Sequence, residues 1–418
     1  MTSQQPPGPS TRRPIDEDGV AEVFRAEFGR VVATLTRVFG DLTIAEDAAQ
    51  DAFVAALRTW PTQEPPPNPG GWLTTTARRR AFDRLRSDAA RDDRHARAAL
   101  LHAEAHHEEL DPMEDDRLRL IFTCCHPALA PPAQVALTLR LLGGLQTTEV
   151  ARALLLSEVA LAQRIVRAKR KIRAANVPYR IPDGHELPER LAGVLAVVYL
   201  IFNEGHTLTA GEALDRPDLL DEATRLARLL ADLMPDEPEV LGLLALLLLT
   251  RSRRAARTRP DGSLVPLSEQ DRCLWDHRLI AEGHTLVRRC LRRGRPGSYQ
   301  LQAAIAAVHG DAASSDDTDW RQILTLYDQW LEVAPTPVVA LNRAVALAEI
   351  AGPAAALASV DALSLDHYQP WHAARADLLR RLGAVDEAIG AYARAAALTD
   401  NVAEQRFLLE RRAALAGH

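Results

Sequence analysis

The stretch from Gln163 to Arg173 carries the residue types that could bind a nucleic acid. Every charged residue from Arg164 to Arg173 is positive. On a helix, Gln163, Arg164, Arg167 and Lys171 share one face, which we call the basic face. Cations neutralise phosphates, while glutamine and arginine can hydrogen-bond to base edges in the major groove. The alternative is a basic helix that is merely solvated.

The residues that precede the basic face predict a helix-turn-helix. An apolar segment beginning near Ala133 stops at the glycine pair 143–144, and a second helix can begin at Thr147. Ser157 is a suitable N-cap for a third helix, and Glu158 favours the positive end of that helix. We expect one side of the third helix to face the core, with Val159, Ala162, Ile165, Val166 and Ile172. This arrangement favours DNA as the ligand of the basic face.

Composition predicts an all-helical protein of two or three domains. The chain has 418 residues, only 5% are aromatic, and no run alternates as a strand would. A net charge of −6 is unusual for a DNA-binding protein, but the acid-rich stretch 186–250 is separate from the basic face. Four cysteines and a polar start without a signal peptide predict a cytoplasmic protein without disulfides. The apolar run 240–249 is too short for a membrane span and predicts a buried helix.

Two helices are predicted near the N-terminus. The first runs over about 18–39. For the second, a capping box of Thr43 and Glu46 predicts a helix that continues to about Trp60. One side of the second helix is apolar, with Ala49, Phe53, Ala56, Leu57 and Trp60. Asp47 and Asp51 lie on a separate, partly acidic side, which could be simply solvated charge.

A third N-terminal helix is predicted after Gly70 and Gly71. Its residues Arg79, Asp83 and Arg86 lie on one side at helical spacing. Asp83 could pair with both arginines, which would give these residues a purely structural role. The alternative is a second basic surface that follows a phosphate backbone.

These segments together resemble the extracytoplasmic-function sigma factors. Region 2 of that family is similar to FRAEFGRVVATLTRVFGDLTIAEDAAQDAFVAALRTW, and its promoter-melting helix is similar to GGWLTTTARRRAFDRLR. The stretch 133–173 resembles region 4, and LIFTCCHPAL resembles a signature of a subgroup with a long C-terminal extension. The sequence departs from the family at Arg79, where Asn is usual, and at Ala160 and Ala162, where Thr and Lys are common.

The resemblance implies a set of binding residues. The surface that contacts the clamp helices of core RNA polymerase would contain Asp47, Gln50 and Asp51. The surface near the minus-10 promoter element would contain Arg79, Asp83 and Arg86. The surface near the minus-35 element would contain Gln163, Arg164, Arg167 and Lys171. No cofactor is expected.

The predicted domain organisation has six segments. They are a disordered tail over 1–14, a region-2-like domain over 15–86, a linker over 87–116, a region-4-like domain over 117–177, a second linker over 178–188, and a helical extension over 189–418. Within the extension, two segments align with Gly352 opposite Gly383 at close to the 34-residue TPR period. TPR-like repeats over about 320–400 would bind a protein partner.

Two sets of histidines and cysteines invite a metal-site interpretation. Cys124, Cys125 and His126 are adjacent, but neighbouring side chains on a helix point apart, so a structural role in the core is favoured. The pentapeptide EGHTL occurs twice and contains His206 and His284. In each EGHTL segment, we favour a structural role in which the glycine lies at a helix crossing and the histidine caps the end of a helix. We therefore predict no metal site.

Three functions remain open from the residues. An alternative sigma factor, with the extension controlling its activity, accounts for both N-terminal blocks and the helix-turn-helix. A conventional helix-turn-helix regulator with a TPR sensor leaves AEDAAQDAF and WLTTTARRRAFDRLR unexplained. An enzyme is the weakest interpretation, because no phosphate-binding glycine loop, nucleophile elbow or HExxH motif is present, and we predict no catalytic residue.

Overall fold

The prediction of an all-α fold is confirmed. The computed structural model describes residues 17–63, 66–89, 94–105, 114–154, 156–208, 210–211 and 214–416, and the predicted tail lies outside these ranges. Within them, nineteen α-helices are joined by turns, three short 3-10 helices and one pair of two-residue strands. None of these helices is both long and apolar enough to span a membrane. The chain forms two compact units, Met1–Val197 and Val198–His418.

In the described ranges, the N-terminal unit contains eight helices and the first part of a ninth. They are α1 (Glu17–Phe39), α2 (Leu42–Thr59), α3 (Pro69–Ala89), α4 (Arg94–Ala105), α5 (Glu114–Cys124), α6 (Pro131–Leu141), α7 (Thr147–Ala153), α8 (Glu158–Ala174) and α9 (Leu187–His206). Phe24, Phe28 and Phe53 pack together between α1 and α2, with ring centroids 4.6 to 6.1 Å apart. The interval 87–116, assigned to a linker, contains α4, whose Ala99 and Ala103 are buried.

The start of α2 differs from the predicted capping box. Asp41 is the N-cap, because its Oδ1 accepts hydrogen bonds from Thr43 N at 2.7 Å and Ile44 N at 3.0 Å. A short carboxylate side chain just before the first turn satisfies these amides, so Thr43 is already inside the helix. Glu46 is consequently free of a capping role, and its carboxylate is buried.

The C-terminal unit contains the rest of α9 and ten further helices in the described ranges. They are α10 (Pro217–Leu233), α11 (Pro238–Arg251), α12 (His277–Leu291), α13 (Ser298–Asp311), α14 (Trp320–Val333), α15 (Pro337–Ala351), α16 (Pro353–Asp361), α17 (Gln369–Arg381), α18 (Val385–Ala397) and α19 (Val402–Ala416). The predicted buried helix is confirmed as α11, since every residue from Val240 to Leu249 is buried. Gly242 permits a close approach of α13, because a Cβ there would lie 2.7 Å from Gln300 N.

Two helical pairs follow one another near the C-terminus. Gly352 separates α15 from α16, and Gly383 separates α17 from α18. Both glycines have positive φ, of 84° and 76°, which strongly favours glycine at the two aligned positions. Strand β1 (Ala210–Gly211) pairs in parallel with β2 (Asp400–Asn401), which joins the two ends of this unit.

Candidate functional site

The basic face lies on α8, which begins as the sequence predicts. Ser157 is the N-cap, and its Oγ accepts a hydrogen bond from Ala160 N at 3.2 Å. Gln163, Arg167 and Lys171 are exposed, and Arg164 is half-buried. No ion pair within the described residues involves any of these four side chains, so their donors are available to a ligand.

The predicted core side of α8 is partly wrong. The buried residues are Leu161, Ile165, Ala168 and Ile172, which follow a single stripe along the helix. Val159 and Val166 are 68% and 54% exposed, and Ala162 is also exposed. The unit covers only one narrow side of α8, so these three apolar residues lie on the outer surface next to the basic face.

The positive charges of α8 divide into two sets. Lys169 and Arg173 lie on a flank that faces the turn before α2 and its first residues. Arg173 Nη2 lies 2.6 Å from Asp41 Oδ2, and Lys169 forms an ion pair with Glu46. Asp41 therefore caps α2 with one oxygen and binds α8 with the other. Two of the positive charges that sequence analysis grouped together are thus used inside the protein.

Glu46 is the centre of a buried ionic cluster that joins α2, α6 and α8. Arg140 Nε lies 2.9 Å from Glu46 Oε1, and both side chains are almost fully buried. Lys169 contacts the other carboxylate oxygen, and Gln50 Nε2 donates to Oε1 at 3.0 Å. Arg140 also lies over the ring of Phe28, 5.3 Å from its centroid. This cluster, which we call the Glu46 cluster, holds the region-2-like and region-4-like segments together.

Sequence analysis missed the Glu46 cluster, although one signal for it was present. Arg140 is the only charge in the apolar run LTLRLL, and a charge in such a run must find a buried partner. A second buried pair has the same character. Arg37 Nε lies 2.9 Å from Asp116 Oδ1, with side chains 7% and 1% exposed, and it joins α1 to α5.

The residues predicted to bind polymerase lie on α2 beside the Glu46 cluster. Asp47 and Asp51 are half-buried and border a groove between α2 and α3 that Arg80 and Arg84 also line. Asp47 Oδ2 lies 3.4 Å from Arg84. Partial burial raises the pKa of Asp47, although the Arg84 and Lys169 charges oppose that shift. Gln50 differs from the two aspartates, because its amide is directed to Glu46.

The minus-10 candidates on α3 are all at the surface. Arg79, Asp83 and Arg86 are exposed, and no ion pair joins Asp83 to either arginine in the described structure. The structural explanation considered for these residues therefore has no support. Arg86 lies beside the ring of Phe82, 5.6 Å from its centroid. The α3 residues thus present charge that the fold does not neutralise.

The cysteines and histidines that invited a metal interpretation lie in separate environments. Cys124 and Cys125 are buried, and Cys125 Sγ lies 3.6 Å from Thr138 Oγ1. Burial raises the pKa of Cys125 to about 12, which keeps it a thiol. His126 Nδ1 accepts a hydrogen bond from Ala128 N at 3.1 Å. Among the described residues, no three histidine, cysteine or acidic side chains form a group that could hold a metal ion.

The two EGHTL segments place their glycines at close helix contacts. A Cβ on Gly205 would lie 2.8 Å from Leu220 N, and a Cβ on Gly283 would lie 2.6 Å from the side chain of Leu249. His206 is the last residue of α9, and its carbonyl oxygen accepts a hydrogen bond from Arg257. The glycine part of the prediction therefore matches the packing of this unit.

Comparison with known proteins finds similarity to sigma factors in the region-2-like and region-4-like segments. The sigma-70 region 2 profile matches residues 23–91, and the sigma-70 region 4 profile matches residues 119–172. Over 179 residues the chain is 28% identical to the probable ECF RNA polymerase sigma factor SigI of Mycobacterium tuberculosis, covering 41% of this chain and 61% of SigI. The chain belongs to the extracytoplasmic-function sigma factors. The predicted family and the predicted class of function are thereby confirmed.

Three further similarities were found, and that with the Rhizobium protein covers most of the chain. An uncharacterized protein of Rhizobium meliloti strain 1021, R00370, is 42% identical over 394 residues, which are 91% of this chain and 92% of that protein. The ECF sigma factor SigK of a Mycobacterium species, strain KMS, is 35% identical over 83 residues, 20% of this chain and 43% of SigK. Residues 190–291 match a family of unknown function, DUF6596. No solved structure matches the chain.

Proposed function

We propose that this sigma factor binds core RNA polymerase and directs it to a specific set of promoters. The observation that supports this proposal is the separation of three charged surfaces within one unit. The acidic residues of α2 are suited to a protein partner, while the exposed charges of α3 and the basic face of α8 are suited to phosphates and bases. A regulator that binds only an operator needs one such surface.

The polymerase contact is assigned to Asp47 and Asp51, with Gln50 in a supporting position. Asp51 has no ion pair or hydrogen bond in the described structure, so a change there should leave the fold intact. Asp51→Arg is therefore the sharpest test. Glu410→Arg is a matched control, because Glu410 is exposed and has no partner among the described residues.

The experiment measures binding of each full-length variant to core RNA polymerase and then run-off transcription from genomic fragments. We expect Asp51→Arg to bind polymerase at least about tenfold more weakly, because a reversed charge at a protein interface replaces attraction by repulsion. Glu410→Arg should bind as the wild type does. A wild-type protein that ignores polymerase yet binds DNA would instead support the helix-turn-helix regulator.

We assign promoter contacts to the exposed side chains of α3 and α8. The minus-10 contacts are Arg79, Asp83 and Arg86. The minus-35 contacts are Gln163, Arg164, Arg167 and Lys171. The test is whether substitutions in the two sets alter protection of the two promoter elements separately. If substitutions in one set alone abolished protection of both promoter elements, the assignment of α3 to the minus-10 element and of α8 to the minus-35 element would be contradicted.

We also propose that the C-terminal extension controls the activity of the sigma segments and carries TPR-like repeats that bind a protein partner. The two helical pairs with equivalent glycines support the repeats. A chain ending after Arg180 retains Tyr179, whose hydroxyl lies 2.8 Å from Ala33 O. Transcription by this truncated chain should differ clearly from that by the full chain, in either direction. Equal transcription at equal polymerase binding would contradict a controlling role.

A further inference from the structure

The C-terminal unit contains a cluster of positive side chains that the proposed function does not use. Arg253 and Arg272 both lie beside the ring of Trp275, with guanidinium carbons 5.9 and 4.8 Å from its centroid. Arg257 lies at the end of α9, where its Nη1 is 3.2 Å from His206 Nδ1. All three arginines belong to the segment between α11 and α12.

Two of these arginines are held by neutral acceptors of the fold. Arg272 Nη1 donates to the carbonyl oxygens of His309 and Ala312, each at 2.6 Å. Arg257 Nη2 donates to Thr207 Oγ1 at 3.1 Å. These hydrogen bonds orient both guanidinium groups, but they do not neutralise the positive charge.

Arg253 differs from the other two arginines. In the part of the chain that the structure describes, its guanidinium has no hydrogen-bond acceptor and no ion-pair partner. Carboxylates act on the other two, among them Asp215 on Arg257 and Asp317 on Arg272. Burial and the two neighbouring positive charges lower the pKa of Arg253 to about 10. The site therefore holds a partly buried cation that has no counter-ion among the described residues.

Two nitrogen atoms of uncharged side chains near the arginines are also without partners in the described structure. Trp275 Nε1 and His309 Nδ1 are buried and have no hydrogen-bond partner within the described residues. Both side chains are at least nine-tenths buried. Burial and the arginine charges lower the pKa of His309 to about 4, so at pH 7 the imidazole is neutral. Unpaired buried polar atoms are rare in folded proteins. These two are close to the same arginines, because Arg253 and Arg272 lie beside the Trp275 ring and the charges of both act on His309.

We propose that Arg253, Trp275 and His309 form a binding site for the oxyanion group of a small molecule, either a phosphate or a carboxylate. Oxyanions carry several acceptor lone pairs, so one group can accept from the guanidinium, the indole N–H and the imidazole together. The negative charge would neutralise Arg253 and reduce the repulsion among the three arginines. Arg257 and Arg272, already oriented by the fold, are positioning residues at the edge of this site.

The experiment is a calorimetric titration of the full chain at pH 7 with inorganic phosphate and, separately, with acetate. Arg253→Met is compared with Arg292→Met, which removes the same charge at an exposed position without an ion pair in the described structure. We expect saturable binding of at least one anion, weakened at least tenfold by Arg253→Met and unchanged by Arg292→Met. The anion that binds more tightly identifies the chemistry of the ligand.

Two results would overturn the proposal. Equal affinity in the two variants, whether both are weakened or both are unchanged, would show that positive charge elsewhere in the protein binds the anion. No saturable binding of either anion would remove the site. A thermal melt provides an independent test, because Arg253→Met removes a partly buried charge that has no counter-ion among the described residues. Without anion this variant should melt at or above the wild-type temperature, and a marked fall would assign Arg253 a structural role. In the wild type the bound anion should raise Tm, and His309→Gln should diminish that rise.

Discussion

Glu46→Gln should loosen the contact between the region-2-like and region-4-like segments. The substitution preserves the size of the side chain but removes its charge. Arg140, which is 5% exposed, and Lys169, which is 11% exposed, would then face each other without a carboxylate. Removing one partner of a buried ion pair costs about 3 to 5 kcal/mol. Because glutamine still offers one acceptor oxygen, we expect the lower figure, about 3 kcal/mol.

The assay is native-state hydrogen exchange of the full chain, followed by mass spectrometry of peptides from α2, α6 and α8. A loss of about 3 kcal/mol corresponds to roughly 100-fold faster exchange for amides that are exposed when this contact opens. Glu22→Gln is the matched control, since Glu22 lies exposed on α1 without a partner in the described structure. Lys169→Met should cost less in the Glu46→Gln background than in the wild type, because it then removes an unpaired cation.

An exchange increase of less than about threefold, or an equal increase in Glu22→Gln, would refute this reasoning. The first outcome would mean that water reaches Arg140 readily and that the cluster is weakly coupled to the packing. Faster exchange confined to α2 would also contradict the prediction. The ion pair between Glu46 and Arg140 links α2 to α6, so exchange should increase in both helices.

Three further results are expected. Asp116→Asn should destabilise the N-terminal unit by about 3 kcal/mol, because Arg37 then loses its buried carboxylate. Hydrogen exchange of the α1 amides measures this loss, and a loss below about 1 kcal/mol would contradict the prediction. Arg167→Gln should lower the salt dependence of promoter binding by about one released ion in fluorescence anisotropy, while Arg292→Gln should leave the slope unchanged. Folding lowers the pKa of His309 from 6.5 to about 4, because the folded protein disfavours the charged imidazole. The free energy of unfolding is therefore unaffected by this group above pH 6.5 and decreases by about 3 kcal/mol as the pH falls from 6.5 to 4. In thermal melts between pH 6.5 and pH 4, Tm of His309→Gln should fall less with decreasing pH than Tm of the wild type. An equal fall in the two proteins would contradict a lowered pKa of His309.

Local signals were sufficient for much of the helical framework. Ser157 caps α8 as expected, and the apolar run of α11 is buried because a helix that is apolar all round must be enclosed. The alignment of Gly352 with Gly383 also follows from sequence spacing, and both residues have positive φ. Each of these features depends on residues that are close in the chain.

Local patterns failed where neighbours distant in sequence decide which face of a helix is covered. Val159 and Val166 belong to the apolar residues of α8, yet the unit leaves them exposed, because it covers only one stripe of this helix. The capping box at Thr43 failed for a related reason, since Asp41 offers a better-placed carboxylate to the first amides of α2.

The sequence by itself determined the helical class, the family and the positions of the charged faces, because periodicity, caps and motifs are properties of contiguous residues. Only the tertiary structure decided which charges are used internally. Lys169 and Arg167 are two residues apart on α8, but one is paired with Glu46 from α2 and the other is exposed. The same holds for Arg253, which has no counter-ion among the described residues because of the surroundings that the folded unit creates. Partners of this kind come from distant parts of the chain, so no local pattern specifies them.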